Sequence, residues 1–246
     1  MIITMKDILE IKKLTKSFRN NQVLNNFSYT FKEKTIYALM GANGSGKTTL
    51  FNLISGFLPS DGGEILFKNH AIQNLKPQQI SNFGLSRTFQ DMRLIPSLTV
   101  YDNILLALKN KQSEKILQAL FPNKSEQYEE EITEIMVKTH LSKIRDSKAQ
   151  DISYGQQKLL NLAVAMANDF DLLLLDEPVA GVQPEYREEI LTLIKGFDKT
   201  VIVIEHNPEF IECLTDNILF LEGGNIIAEG DYATIKSNLQ VQKAYL

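Results

Sequence analysis

The sixteen residues TIYALMGANGSGKTTL, positions 35–50, constrain this chain more than any other stretch. The apolar run from Thr35 to Met40 predicts a buried strand. Gly41 to Thr48 then spells G-x-x-x-x-G-K-T, and Leu50, Leu53, Ile54 and Phe57 begin a helical period. Strand, glycine-rich loop and helix, in that order, make a cradle for phosphate. A Cβ at Gly41, Gly44 or Gly46 would obstruct either the backbone angles or the approach of backbone N–H groups to phosphate oxygens. Lys47 supplies a point charge for the β- and γ-phosphates, and Thr48 a hydroxyl ligand for magnesium. The N-terminus of the helix adds its partial positive charge. The plain alternative is a glycine-rich turn that binds nothing, and the motifs further along weigh against it.

With 246 residues and 43% hydrophobic composition, the chain can bury a large core, as one domain or one domain with an inserted lobe. The second is expected. A net charge of −4 and a pI of about 5.5 give no general basic field, so nucleic acid is not expected as a partner. The single cysteine, Cys213, cannot form an intrachain disulfide and reads as a small core residue in a helix, in keeping with a reducing compartment. No apolar run approaches the roughly 18 residues of a membrane span, and MIITMKDILEIKK carries charges where a signal peptide needs its hydrophobic stretch. Any membrane connection is expected to come through a partner.

Residues 7–31 alternate well enough to predict two antiparallel strands around the polar turn FRNNQ. Phe18, at the start of that turn, could stack on an adenine or plug the sheet edge, and periodicity alone favours the plug. Gly56 to Pro59 should stop the first helix, Gly62-Gly63 should turn into strand EILF, and residues 77–89 read as a short helix and a strand leading to Gln90. Residues 100–165 read as the helical lobe, with Val100, Ile104 and Leu108 on one face. Phe121-Pro122-Asn123 is the breaker. A second helix carries Tyr128, Ile132, Ile135, Met136 and Thr139 inward, with Glu129–Glu131 as a solvated face. DLLLLDE and TVIVIE read as strands covered on both faces, with Pro184 opening a helix between them. NILFLE-GG-NIIAEG predicts a hairpin, and Asp231 a cap for a final short helix. Strands alternating with helices around a phosphate loop predict a three-layer α/β core; antiparallel pieces from both ends of the chain are expected to form a side sheet.

Asp176 and Glu177 stand at the C-terminal end of a buried strand, where open α/β sheets place their ligands. Asp176 is suited to hold magnesium through its water shell, and Glu177 to polarise an attacking water. Two strand-end acids alone are a weak signal; beside a phosphate loop the signal is strong. His206 also ends a strand, where a lone histidine is more often structural.

Taken together, the phosphate loop 41–48, Gln90, SYGQQ at 153–157, LLLLDE at 172–177 and His206 resemble the ATP-binding subunit of an ABC transporter over nearly the whole chain. SYGQ is the most specific part, because other phosphate-loop NTPases lack this short loop before the second strand. The resemblance implies ATP and Mg2+ as ligands, with nucleotide contacts from Gly41, Ala42, Asn43, Gly44, Ser45, Gly46, Lys47, Thr48 and Thr49. It assigns Phe18 to adenine stacking, Glu177 to catalysis, and His206 to sensing the γ-phosphate. Thr48, Gln90 and Asp176 would serve magnesium, with Gln90 also at the interface to the membrane subunit. Ser153 and Gly155, with Gln156 beside them, would meet the nucleotide held by the opposite subunit. The implied partners are a second ABC ATPase subunit, identical or different, and an integral membrane permease. The implied location is the cytoplasmic face of the membrane.

LSRTFQDMRLIPSLTVYDNILLAL, the tyrosine of SYGQQ, EPVAGVQP, EHN and the ending KAYL resemble the ATPases of branched-chain amino-acid importers, and related urea or amide importers share them. Gln183 departs from the aspartate or asparagine of that pattern, which bears on communication across the subunits. A soluble ABC ATPase that remodels a protein scaffold, of the iron–sulfur assembly type, would share every ATP residue. The surface around Gln90, with Met92, Leu94, Ile95 and Tyr101, discriminates the two, because only a transporter needs a permease groove there. A tandem DNA-repair or translation ATPase is disfavoured by the single cassette and the absence of a basic stretch, and a GTPase or small-molecule kinase by the signature loop.

Overall fold

The structure is a computed structural model that describes residues 6–90, 92–110 and 128–245. Two long strands open the chain, β1 (Asp7–Phe18) and β2 (Asn21–Lys32), paired antiparallel with Leu9 opposite Phe31 and Ile11 opposite Tyr29. Their alternation turns Leu9, Ile11, Leu14, Phe27 and Phe31 inward. β3 (Ile36–Met40) then feeds the phosphate loop and α1 (Lys47–Ile54). Phe57 does not continue that helix as its spacing suggested. Gly56, at φ 73°, turns the chain away first, and the Phe57 ring is 45% exposed. β4 (Gly62–Phe67) and β5 (His70–Ala71) complete a four-stranded antiparallel sheet in the order β2-β1-β4-β5.

After α2 (Pro77–Asn82) and β6 (Leu85–Arg87) come the helices α3 (Val100–Asn110), α4 (Glu129–Lys138) and α5 (Tyr154–Ala167). Val100, Ile104 and Leu108 form the buried face of α3, and Ile132, Ile135 and Met136 that of α4. The anticipated breaker at 121–123 lies outside the described residues. Glu129 is not simply part of a solvated face: Arg145 Nη2 donates to it at 2.9 Å, and so does the Tyr101 hydroxyl.

β7 (Leu172–Asp176), α6 (Pro184–Lys195), β8 (Thr200–Ile204), α7 (Pro208–Leu214), β9 (Ile218–Glu222), β10 (Asn225–Gly230), α8 (Tyr232–Ser237) and α9 (Leu239–Tyr245) follow. The central sheet runs β10-β9-β3-β8-β7-β6, parallel except for β10. Successive residues of β7 and β8 serve opposite layers. Leu173, Leu175, Val201 and Val203 pack with α3 to α6, whereas Leu172, Leu174, Ile202 and Ile204 pack with α1 and the antiparallel sheet. This is the three-layer α/β core with an antiparallel side sheet.

The C-terminal hairpin joins the central sheet through β9, parallel to β3, and not the side sheet, because Ile218–Leu221 are apolar on both faces and buried on both. Cys213 is exposed, since Phe210, Ile211 and Leu214 form the inward face of α7 and position 213 points out. Asp231 does cap α8, accepting from Thr234 N at 2.8 Å, yet α9 follows it.

Candidate active site

The C-terminal ends of β3, β7 and β8 deliver Gly41, Asp176 with Glu177, and Glu205 with His206 to one edge of the sheet. Gly41 has φ 146°, and a Cβ there would lie 2.1 Å from the Leu221 carbonyl oxygen, so the loop can pass β9 only as glycine. Lys47 is 6% exposed and curls back onto its own loop, donating to the carbonyls of Gly41 at 2.8 Å and Ala42 at 3.0 Å. Burial pushes its ammonium below the ordinary lysine value, while Glu177, Asp176 and Glu222 pull the other way. The buried Ser45 hydroxyl has no hydrogen-bond partner among the described residues. A cage of inward-turned loop, one ammonium and one unsatisfied hydroxyl fits a phosphate group.

Glu177 follows the end of β7 with φ 49°, a left-handed conformation rare for glutamate. Three contacts fix it there. Its N–H donates to Ile204 O at 2.9 Å, its carbonyl accepts from Lys158 Nζ at 3.1 Å, and its carboxylate accepts from Gln90 Nε2 at 2.9 Å. The other carboxylate oxygen lies 3.7 Å from His206 Nε2. Gln90 and His206 therefore flank the two oxygens of one carboxylate. Behind them, Glu205 accepts from the backbone N–H groups of Val179, His206 and Asn207 at 3.0, 2.7 and 3.0 Å, tying the loop after Glu177 to the histidine turn.

Phe18, Asn43, Gly44, Gly46, Lys47, Thr48, Thr49, Glu177 and His206 line one cavity of about 320 Å3, which Asn21, Val23 and Ile204 complete. Phe18 is 46% exposed on its wall, so the ring does not plug the sheet edge; Lys16 lies over it at 5.7 Å. Asp176 sits behind this cavity at 5% exposure, its carboxylate held by Arg87 Nη2 at 3.2 Å. Arg87 also donates to Asn52 at 2.7 Å and to the Ser55 hydroxyl at 3.0 Å. Burial lowers its pKa and the Asp176 charge opposes that shift. The Thr48 hydroxyl lines this cavity, while Asp176 is held on Arg87 and the Gln90 amide on Glu177; all three offer oxygen donors of the kind magnesium takes.

Ser153, Gly155 and Gln156 are elsewhere, at the start of α5. Ser153 caps that helix by accepting from Gln156 N at 3.3 Å, while its own N–H donates to the Gln156 side chain at 2.9 Å. None of the three lines the phosphate-loop cavity. Arg87, Lys158, Glu205 and Tyr186, which packs on Ser153, were not singled out by the sequence. Glu205 alone had a visible signal, as a carboxylate closing an apolar strand beside His206.

A family model described as "ABC transporter" matches residues 24–180. A probable branched-chain amino acid transport ATP-binding protein of Archaeoglobus fulgidus is 34% identical, the match covering 97% of this chain and 95% of the relative. A high-affinity branched-chain amino acid transport ATP-binding protein of Pseudomonas aeruginosa is 32% identical, covering 98% of each. Among solved structures, a nucleotide-free ATP-binding cassette from an ABC transporter superposes with a TM-score of 0.86 at 30% identity, over 98% of this chain and 99% of that one. A dimeric cassette in a post-hydrolysis state with ADP and phosphate gives 0.79 at 25% identity, over 92% of this chain and 99% of that one.

Proposed function

This chain belongs to the ABC transporter family as an ATP-hydrolysing subunit that powers a membrane transporter, and on that premise we propose that its transporter imports branched-chain or related amino acids. The observation that carries the ATPase reading is the Glu177 carboxylate in the Lys47 cavity, with Gln90 on one of its oxygens and His206 beside the other. The phosphate loop and Lys47 hold the β- and γ-phosphates; the Lys47 ammonium has only to exchange two loop carbonyls for phosphate oxygens. Phe18 offers a face to the adenine. Glu177, oriented by Gln90, accepts the proton of the attacking water, and His206 lies on the side from which a γ-phosphate is sensed. Thr48, Gln90 and Asp176 would hold magnesium, which would supply neutralisation of the phosphate charge.

Ser153, Gly155 and Gln156 complete the site of the opposite subunit in a head-to-tail dimer. Closure of that dimer around ATP drives the permease. A groove of about 430 Å3 beside Gln90, walled by Phe57, Arg87, Phe89 and Arg93, takes a cytoplasmic segment of the permease. Arg93 lies 3.5 Å from the Phe89 ring centre, presenting an aromatic floor with a cationic edge, and Ile95 is 38% exposed nearby. No helix among the described residues is long and apolar enough to cross a membrane, so this groove is the proposed attachment to the inner face. The test is capture of the chain with its membrane subunits, followed by ATP-driven uptake in vesicles. Uptake of leucine, isoleucine or valine is the expected result. Capture of a soluble scaffold assembly instead, with no membrane protein, would overturn the transport reading.

A further inference from the structure

Two of the three residues at the start of α5 that lie outside the phosphate-loop cavity, Ser153 and Gly155, are met by one side chain of their own subunit, Tyr186 in the first turn of α6. A Cβ built on Gly155 would lie 2.3 Å from Tyr186 Cδ2 and 2.5 Å from its Cγ, so the ring fills the space that any side chain at 155 would need. The Tyr186 hydroxyl lies 3.3 Å from Ser153 Oγ. That oxygen already accepts from Gln156 N, also at 3.3 Å.

We infer that Tyr186 is a positioning residue for the trans-acting signature, setting the direction in which Ser153 presents its hydroxyl proton. A serine hydroxyl has one proton and two acceptor sites. The Gln156 N–H occupies one site. As placed, Ser153 Oγ donates to the Tyr186 hydroxyl; both hydroxyls can rotate, and when Tyr186 donates instead, the second acceptor site is filled and the Ser153 proton is released. Ser153 is then left with a single outward donor and no competing acceptor geometry, which suits an arriving phosphate oxygen. The ring supplies the second part of the device, holding the start of α5 against α6. Because α6 begins just after the loop that leaves Glu177, the signature offered to one nucleotide is braced on the segment that carries the catalytic carboxylate of the other. The nearby Tyr154 reinforces this brace: a Cβ on Gly181 of that loop would touch its ring at 3.4 Å, and Lys158, which donates to the Glu177 carbonyl, lies 5.6 Å from the ring centre.

The inference rests on the reading that Ser153 meets the nucleotide of the opposite subunit, and the test separates the two. Tyr186→Phe keeps the ring and removes the hydroxyl; Ser153→Ala removes its partner. ATP turnover and KM are measured in the assembled transporter for each single variant and for the double variant, and nucleotide affinity in the isolated subunit. Tyr186→Phe should lower turnover roughly fivefold, the size of one neutral hydrogen bond, with the isolated subunit binding nucleotide as before. In a Ser153→Ala background the same change should have almost no further effect. An undiminished turnover in Tyr186→Phe, or a loss that simply multiplies with that of Ser153→Ala, overturns the positioning role while leaving the trans site standing. Loss of nucleotide affinity in the isolated Tyr186→Phe subunit overturns it too, because the hydroxyl would then support the fold. If Ser153→Ala itself leaves turnover and KM unchanged, the trans site falls and the inference with it.

Discussion

The guanidinium of Arg87 and the carboxylate of Asp176 meet at 3.2 Å with both side chains 5% exposed, on neighbouring strands just behind the nucleotide cavity. Arg87 also binds Asn52 and Ser55 at the end of α1, so one cation joins β6, β7 and the helix that follows the phosphate loop. Truncating it leaves a buried carboxylate without its partner. Arg87→Met should therefore cost about 3–5 kcal/mol of stability, read from denaturant unfolding. Adding Asp176→Asn should recover part of that loss, and an Arg87→Met protein as stable as the parent would show that the pair contributes nothing.

Lys47 is the only side-chain cation in the loop 41–48. Lys47→Ala should weaken both ATP affinity and hydrolysis, measured by nucleotide titration and phosphate release. Because its present partners are two carbonyls of the loop itself, the fold should tolerate the change. Unaltered affinity together with unaltered turnover would remove the phosphate-binding role from this loop.

Glu177→Gln separates binding from chemistry. The amide keeps the size of the carboxylate and can still bond Gln90, but it cannot take a proton from water. ATP binding should persist while turnover falls roughly 10²-fold or more. Normal hydrolysis by this variant would move the role of base to another group, with His206 the next candidate at 3.7 Å.

What the chain discloses by inspection follows from how local each signal is. Phosphate loop, apolar strand and helix lie within sixteen consecutive residues and depend on glycine and periodicity, so Gly41 to Leu50 could be read directly. Glu177 and His206 were legible because each closes a run of apolar residues. The Arg87–Asp176 pair spans 89 positions, and neither residue type has a period or a turn signature to betray the other. The same holds for Tyr186 over Gly155. A hairpin motif fixes its own pairing and says nothing of the third strand beside it, so the place of β9 next to β3 is not legible in NILFLE-GG-NIIAEG. Periodicity likewise argued for Phe18 as a plug, whereas the cavity beside it is assembled from residues far away in the chain.

A pH effect should appear among the helices. Hydrogen bonds from Arg145 and then Tyr101 hold the Glu129 carboxyl below its ordinary value of 4.5. A carboxylate lowered in the folded state contributes stability above its unfolded pKa and loses it as pH falls through the folded value. The pair is part-exposed, so the contribution is under about 1 kcal/mol. Wild type should therefore melt slightly above Glu129→Gln at pH 7, with the gap closing as pH drops below the ordinary carboxylate value. A gap that persists at low pH would assign the effect to packing instead of charge.

In the proposed dimer, each nucleotide site is built from two subunits. Lys47 and Glu177 line a cavity that Ser153 and Gly155 do not, and the proposed dimer sets Ser153 and Gly155 against the nucleotide held by the other subunit's loop. Isolated protein should then be a slow ATPase whose rate rises with protein concentration. Lys47→Ala removes the loop's charge, and Ser153→Arg places a bulky cation in the signature, so neither variant alone forms an intact composite site. Mixed as a homodimer, the loop of the Ser153→Arg subunit faces the intact signature of the Lys47→Ala subunit, giving one working site of two. ATP-driven dimerisation and some hydrolysis should return in the mixture, measured by sedimentation and phosphate release. If nothing returns, wild-type chain decides between two causes. Wild type that dimerises with ATP, in a mixture that does not, would show that a single composite site is too weak to hold the pair, with Gln183 at the turn of the interface as the residue to exchange for asparagine. Wild type that stays monomeric would point to a different ATPase chain as the partner, and the same pair of variants is then divided between the two chains. Full hydrolysis by a monomer, independent of protein concentration, would rule out completion of the site in trans.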